Sequence, residues 1–359
     1  MDGIVPYRNH IATLATTNLR SYGFSHYICP FYETGNGQTS YSQIQDTMRQ
    51  REVFYKYPAA LQLLYFVAIC IGCILISSNL ASLAVILLGG MDKLAATSSL
   101  LFIQAFSAIG GFLVPALWLA WMKKAGETDF LHASYPIRPL HLACGLVILL
   151  LSSPLVSALQ EWGQSWSLGP GLESFFGPMT SRSEAILDQM LHVDSWFTFL
   201  MSFLVIAVVA GICEEFLFRG GLQNLLKEWF KSGHAAVWVT AIVFSAVHLD
   251  PAGFLPRCLL GAILGYAYLY SGSIWVPVIL HIINNGFSCL IEFCYYKGYS
   301  RLDPDILSQS LGTEWTLVSI AGLIFFAIFL FRYRKLKREL QDGPAQGGEA
   351  ADADRNPAQ

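Results

Sequence analysis

The stretch WFTFLMSFLVIAVVAGICEEFLFR, residues 196–219, decides the fold. It is apolar from Trp196 to Ile212 apart from Thr198 and Ser202, and nothing breaks a helix before Gly220-Gly221. A bilayer needs about 20 apolar residues per helical crossing, so the run reads as a membrane span. Yet the same helix carries Glu214, Glu215 and Arg219. Ionisable groups are costly in lipid and persist only where they face a protein interior or a wet cavity. If the helix continues to Leu226, the acidic pair lies past the middle of a rod about 45 Å long. Glu215 and Arg219 are i, i+4 and pair along one face, whereas Glu214 points about 100° away from Glu215. The two carboxylates therefore have different jobs, one structural and one chemical.

Two further polar clusters interrupt apolar segments downstream: Phe244-Ser245-Ala246-Val247-His248 and His281-Ile282-Ile283-Asn284-Asn285. Phe244 stacks one turn beneath His248, and His281 and Asn285 share a helix face at i, i+4. Trp275 and Pro277 mark where the last of these helices begins, with Pro tolerated in the first turn. His248 ends its helix before the Asp250-Pro251 break, so simple topology puts it near the opposite end of its span from Glu214. The two meet if the long helix carries Glu214 into the bilayer, or if the short one ends within it. Each spacing alone is a weak signal. In order, on three polar-bearing spans, they read as parts of one buried site.

The rest of the chain agrees with a membrane protein. Of 359 residues, 54% are hydrophobic and 13% charged, about half the charged share of a soluble domain. Apolar runs at roughly 59–89, 98–122, 139–159, 196–217, 234–249, 255–271, 275–296 and 313–331 define the fold class. It is all-α, a polytopic membrane helical bundle of about eight transmembrane helices. The first run is too long for a perpendicular helix, so it tilts or breaks near Ser77-Ser78-Asn79.

Net charge is −3, and its distribution says more than its size. Arg49, Arg51 and Lys56 precede the first span; Lys123-Lys124 and Arg138 flank the second connection. Arg219, Lys227 and Lys231 follow the fourth span, and Arg332, Arg334, Lys335, Lys337 and Arg338 follow the last. The 160–195 connection has Arg182 alone against Glu161, Glu173, Glu184, Asp188 and Asp194. Lys and Arg concentrate on the cytoplasmic side, so the expectation is eight spans with both termini cytoplasmic, in a bacterial inner membrane.

Five segments follow: 1–57 as a cytoplasmic extension, 58–195 as the first helices with the outer connection, 196–296 as the core bearing the polar clusters, 297–332 as the last loop and helix, and 333–359 as a basic then disordered tail. Residues 1–57 contain no basic region followed by an apolar core, so no cleavable signal is expected, and residues 1–47 read as an upstream extension of little structure. In the outer connection, Trp162, Trp166, Phe175-Phe176 and the amphipathic stretch 183–192 read as interfacial anchors; a substrate-guiding lid is the alternative. The eight cysteines form no ligand framework and read as small packing hydrophobes, Cys213 included.

The pattern EExxxR, FxxxH, HxxxN, intact here as Glu214-Glu215 to Arg219, Phe244 to His248 and His281 to Asn285, resembles the type II CAAX-prenyl-protease-like family. These are also called the CPBP intramembrane proteases, relatives of the eukaryotic Ras-converting enzyme. The resemblance covers about residues 196–296 and implies a membrane endopeptidase. It implies Glu214 as general base, His248 as its partner in activating water, and His281 and Asn285 as groups that hold the water or stabilise the oxyanion. Glu215, Arg219 and Phe244 would shape the site. Glu214, His248 and His281 are also an acceptable donor set for Zn2+, although the helix-borne HExxH signature is missing. The implied partners are the lipid bilayer and a membrane-associated peptide or protein substrate, processed at a CAAX-type end by resemblance; nucleic acid is not among them. Two rival classes remain: a non-catalytic relative acting in bacteriocin self-immunity or as a scaffold, and a proton-coupled transporter. Degenerate motifs would favour the first and an internal repeat the second; the motifs are complete and no repeat is visible.

Overall fold

The computed structural model describes residues 53–123, 129–301 and 312–342. The expectations for 1–52 and for the tail from Gly343 lie outside these residues. Among the described residues there are helices and no strands. They are α1 (Ala59–Gly89), α2 (Thr97–Lys123), α3 (Pro139–Gln164), α4 (Pro170–Leu191), α5 (Trp196–Phe230), α6 (Gly233–Ala246), α7 (Phe254–Ser271), α8 (Trp275–Tyr296) and α9 (Thr313–Asp342). Five of them, α1, α2, α3, α5 and α8, are long and apolar enough to cross a membrane, and α6 and the first half of α9 are shorter apolar helices. The chain is an integral membrane helical bundle.

All eight expected spans are helical, with three differences. The first does not break at Ser77-Ser78-Asn79. Ser77 donates to Ile74 O, Asn79 to Leu75 O and Ser82 to Ser78 O, so these polar groups are satisfied within the helix itself. The fourth span runs on to Phe230. Gly220-Gly221 does not end it, because the glycines serve close packing: a Cβ at Gly221 would lie 2.6 Å from the Phe66 ring. The 160–195 connection is largely a helix, α4, longer than the amphipathic stretch read from sequence. Pro170 occupies its first turn, where proline is tolerated, and Pro178 is accommodated inside it.

Helix α5 is central, packing against α1, α2, α6, α7 and α8, while α7 packs between α3 and α6 and α9 lies on α3. Helix α5 is not regular. Leu204–Val209 and Phe216–Gln223 are π-helical turns bracketing Glu214 and Glu215, a form of helix that is rare and recurs at functional sites. Lys231, with φ 55°, ends α5, and the Ser232 hydroxyl caps α6 by accepting from Ala235 N. Counted from this hairpin, Glu214 lies 16 residues back and His248 15 residues on, both about 22–24 Å away at helical rise. That levels the two residues and removes the topological difficulty.

Candidate active site

Helix α5 presents its two carboxylates to different surroundings. Glu215 is fully buried, and its Oε1 accepts from Arg219 Nη1 at 2.7 Å and contacts His281 Nδ1 at 2.7 Å. Arg219, also fully buried, donates from Nη2 to Gly261 O of α7 at 2.9 Å and stacks 4.8 Å from the centre of the Phe244 ring. Glu214 keeps 17% of its side-chain exposure, and its Oε2 lies 3.8 Å from His281 Nε2. The helical offset therefore places the two carboxylates in different surroundings. Glu215 is not merely an ion-pair partner, because it also orients His281.

With Nδ1 donating to the Glu215 carboxylate, a neutral His281 ring directs a bare Nε2 at Glu214; with a second proton, that nitrogen becomes a donor. His248 is set in a parallel way. Helix α6 ends at Ala246, and the ring of His248 caps that end, with Nδ1 2.7 Å from Phe244 O. Its Nε2 is then the free face, and the residue is exposed. His248 lies within electrostatic range of Glu214, Arg257 and His281. Phe244 joins the parts: its ring sits 5.1 Å from His248 and 6.2 Å from His281.

Asn285 faces α5 like His281, one turn further along α8, but its Nδ2 donates to Ile206 O at 3.4 Å and its Oδ1 accepts from Asn284. Ile206 belongs to the first π-helical turn, whose altered register changes which carbonyls find helical partners. The structure thus brings Glu214, Glu215, Arg219, Phe244, His248 and His281 together and ties Asn285 to the backbone beside them.

Sequence reading missed the supports. Leu249, with φ 54°, turns the chain after His248. Arg257 then clamps the turn from α7, bonding Asp250 through its carboxylate at 2.6 Å and its carbonyl at 2.9 Å. An arginine in the first turn of an apolar helix, seven residues after an Asp-Pro break, was the available signal. Gly163, near the end of α3, presses on the same turn: a Cβ there would lie 2.1 Å from Ala252 O. Gly163→Ala is expected to push the turn and His248 out of place. That would cost about 1–3 kcal/mol by overpacking and lower activity more than stability, as a thermal melt paired with an activity assay would show. Gly261 and Gly265 lie one turn apart on α7; Gly261 lets α6 approach at Ala241, and both give their carbonyls to α5, at Arg219 and Gln223.

The donors named for zinc do not converge as a ligand set. Among the described residues no three His, Cys, Asp or Glu side chains are gathered closely enough to hold an ion, and His281 Nε2 faces Glu214 at 3.8 Å. The described cysteines are free thiols, with Cys213, Cys258 and Cys289 buried.

Comparison with known proteins points the same way. Residues 196–287 match the family model described as type II CAAX prenyl endopeptidase Rce1-like. The chain is 24% identical over 155 residues to the putative membrane peptidase YdiL of Bacillus subtilis, covering 43% of this chain and 57% of that protein. It is 29% identical over 93 residues to the uncharacterized protein YpbD of the same organism, covering 24% and 44%. It is 26% identical over 111 residues to the membrane-embedded CAAX protease MroQ of Staphylococcus aureus, covering 29% and 41%. The chain thus spans about half the length of these relatives. No solved structure matches it. The matched segment begins where α5 begins and contains all three polar motifs, so residues 196–287 are similar to the type II CAAX prenyl endopeptidase Rce1-like family in the part of the chain that carries the polar cluster.

Proposed function

We propose that this protein is an intramembrane endopeptidase that hydrolyses a peptide bond of a membrane-associated protein or peptide, with Glu214 as general base. The supporting observation is the asymmetry of the acidic pair: Glu215 is fully buried with Oε1 held by Arg219 and His281, whereas Glu214 is partly exposed and faces a ring nitrogen. Glu214 takes a proton from water, whose oxygen attacks the scissile carbonyl carbon, and returns that proton to the departing amine nitrogen. His248, exposed and with Nε2 free, helps to hold the water. His281, when doubly protonated, donates from Nε2 to the developing oxyanion, and Glu215 steadies the resulting imidazolium. Asn285, one turn from His281, is the second candidate donor once its bond to Ile206 O is exchanged. No step passes through a metal. CAAX-type processing is the substrate class that the family suggests.

The test is cleavage of a panel of membrane-anchored peptides by purified protein in detergent. Glu214→Gln is expected to lower kcat by about 10²–10⁴-fold with folding intact, because Glu214 contributes no close structural bond. A chelator is expected to leave the wild-type rate unchanged. Loss of activity on chelation, restored by zinc, would replace this mechanism with a metal-assisted one. Equal traces from wild type and Glu214→Gln would favour the non-catalytic reading.

A further inference from the structure

The two ends of the bundle differ around the catalytic cluster. At the end away from His248, the 129–135 loop is wedged beneath the helices. Phe130 and Leu131 are buried there, Asn224 donates to Phe130 O and to the Tyr268 hydroxyl, and Trp275 Nε1 donates to Ala133 O. At the other end His248 is exposed in its turn, against the last residues of α3. Helix α4 follows directly from that end of α3 and runs for 22 residues, about 33 Å.

Plotted at 100° per residue, Leu172, Phe175, Phe176, Met179, Ile186, Leu187 and Met190 fall within an arc of about 120°. The C-terminal part of this stripe is partly covered by protein, although Leu187 stays exposed. Met190 is buried and Ile186 packs beside it against Leu101 of α2 and Val205 of α5, while Ser202 Oγ donates to Met190 O and His192 reaches Glu292 of α8 at 2.7 Å. The N-terminal part is bare: Leu172 is 52% and Phe175 53% exposed. One largely apolar face, interrupted by Ser183, thus touches the apolar flanks of membrane-spanning helices near one end and is exposed at the other. Trp162, Trp166 and Trp196, all exposed, bracket it in sequence, as aromatic residues do at headgroup level. Glu173, Glu184 and Asp188 lie outside the stripe and Arg182 borders it next to Phe175; with three acidic residues against one basic, attraction to anionic lipid does not hold the helix.

We propose that α4 is an in-plane lipid-surface helix at the end of the bundle where His248 is exposed, its apolar stripe seated in the headgroup–acyl boundary, and that substrate reaches Glu214 from that membrane surface. The second half rests on the endopeptidase reading; the first does not. Burial of apolar side chains supplies the affinity, so seating is independent of headgroup charge.

The full chain, carrying p-benzoylphenylalanine at position 175 or 184, would be reconstituted in phosphatidylcholine vesicles with and without phosphatidylglycerol and irradiated. Position 175 is expected to give phospholipid adducts by mass spectrometry in both compositions and at low and high salt, and position 184 far fewer. Equal yields at the two positions, or crosslinks from 175 to this chain or to a second copy, would overturn the lipid seat. In a second measurement, the double variant Phe175→Glu with Met179→Glu should raise KM for a vesicle-anchored peptide about tenfold, leaving kcat and hydrolysis in detergent unchanged. Lipid adducts with an unchanged KM would overturn delivery from that surface. Wild-type protein that cleaves nothing would sink the endopeptidase reading, while the adducts would still decide the position of α4.

Discussion

Arg219→Ala is expected to destabilise the protein by about 3–5 kcal/mol, the usual consequence of stranding one member of a buried ion pair. Both side chains of the pair are fully buried, and Arg219 also supplies the bond to Gly261 O that ties α5 to α7. Removing the guanidinium leaves the Glu215 carboxylate in an apolar interior with His281 as its remaining partner. It also empties the stack on Phe244, so activity should fall with stability. In detergent the thermal midpoint should drop by of order 10 °C. Arg219→Lys should fall between, since an ammonium keeps the charge but cannot reach Glu215 and Gly261 O in the same forked geometry. Combining Glu215→Gln with Arg219→Met should cost less than Arg219→Ala alone, because no unpaired charge remains. If Arg219→Ala melted within a degree or two of wild type, the buried pair would have no structural role, and other contacts would have to join α5 to α7.

This pair also shows what can be read from sequence. Its existence followed from the i, i+4 spacing in an apolar run, because hydrocarbon tolerates such groups only when they meet. The separate fates of Glu214 and Glu215 followed from the 100° step between neighbours on a helix. Which of them would touch His281 did not follow, since that depends on how α8 crosses α5, and this is fixed by close approaches such as Gly211 on Ile282 and Gly286 on Phe203. The π-helical turns were equally hidden: nothing in Leu204–Val209 distinguishes it from an ordinary α-helical stretch. Helix α4 was only partly legible, because Gly169-Pro170-Gly171 and Pro178 are breakers in isolation, yet here they fall where a helix can absorb them. The turn that carries His248 was visible as an Asp-Pro break, but the Arg257 clamp joins residues seven apart and has no periodic signature.

His248→Ala and His281→Ala are expected to lower activity in two distinguishable ways. His248 sits in an exposed turn and its ring has one hydrogen bond, to Phe244 O. Its removal should lower kcat by about 10²–10⁴-fold while shifting stability by no more than about 1 kcal/mol. Because the space it leaves is open to solvent, added imidazole should restore part of the rate. His281 is 5% exposed and is fixed by Glu215, which is itself held by Arg219. Truncation there removes a buried ring and a bond to a charged group, so a cost of about 2–4 kcal/mol is expected, with far less rescue by imidazole. The contrast comes from burial and hydrogen bonding, which differ for the two rings even though both lie near Glu214. Rescue of His281→Ala as efficient as that of His248→Ala would mean that the His281 site is open in solution. Unfolding of His248→Ala would mean that its turn carries the fold rather than the chemistry.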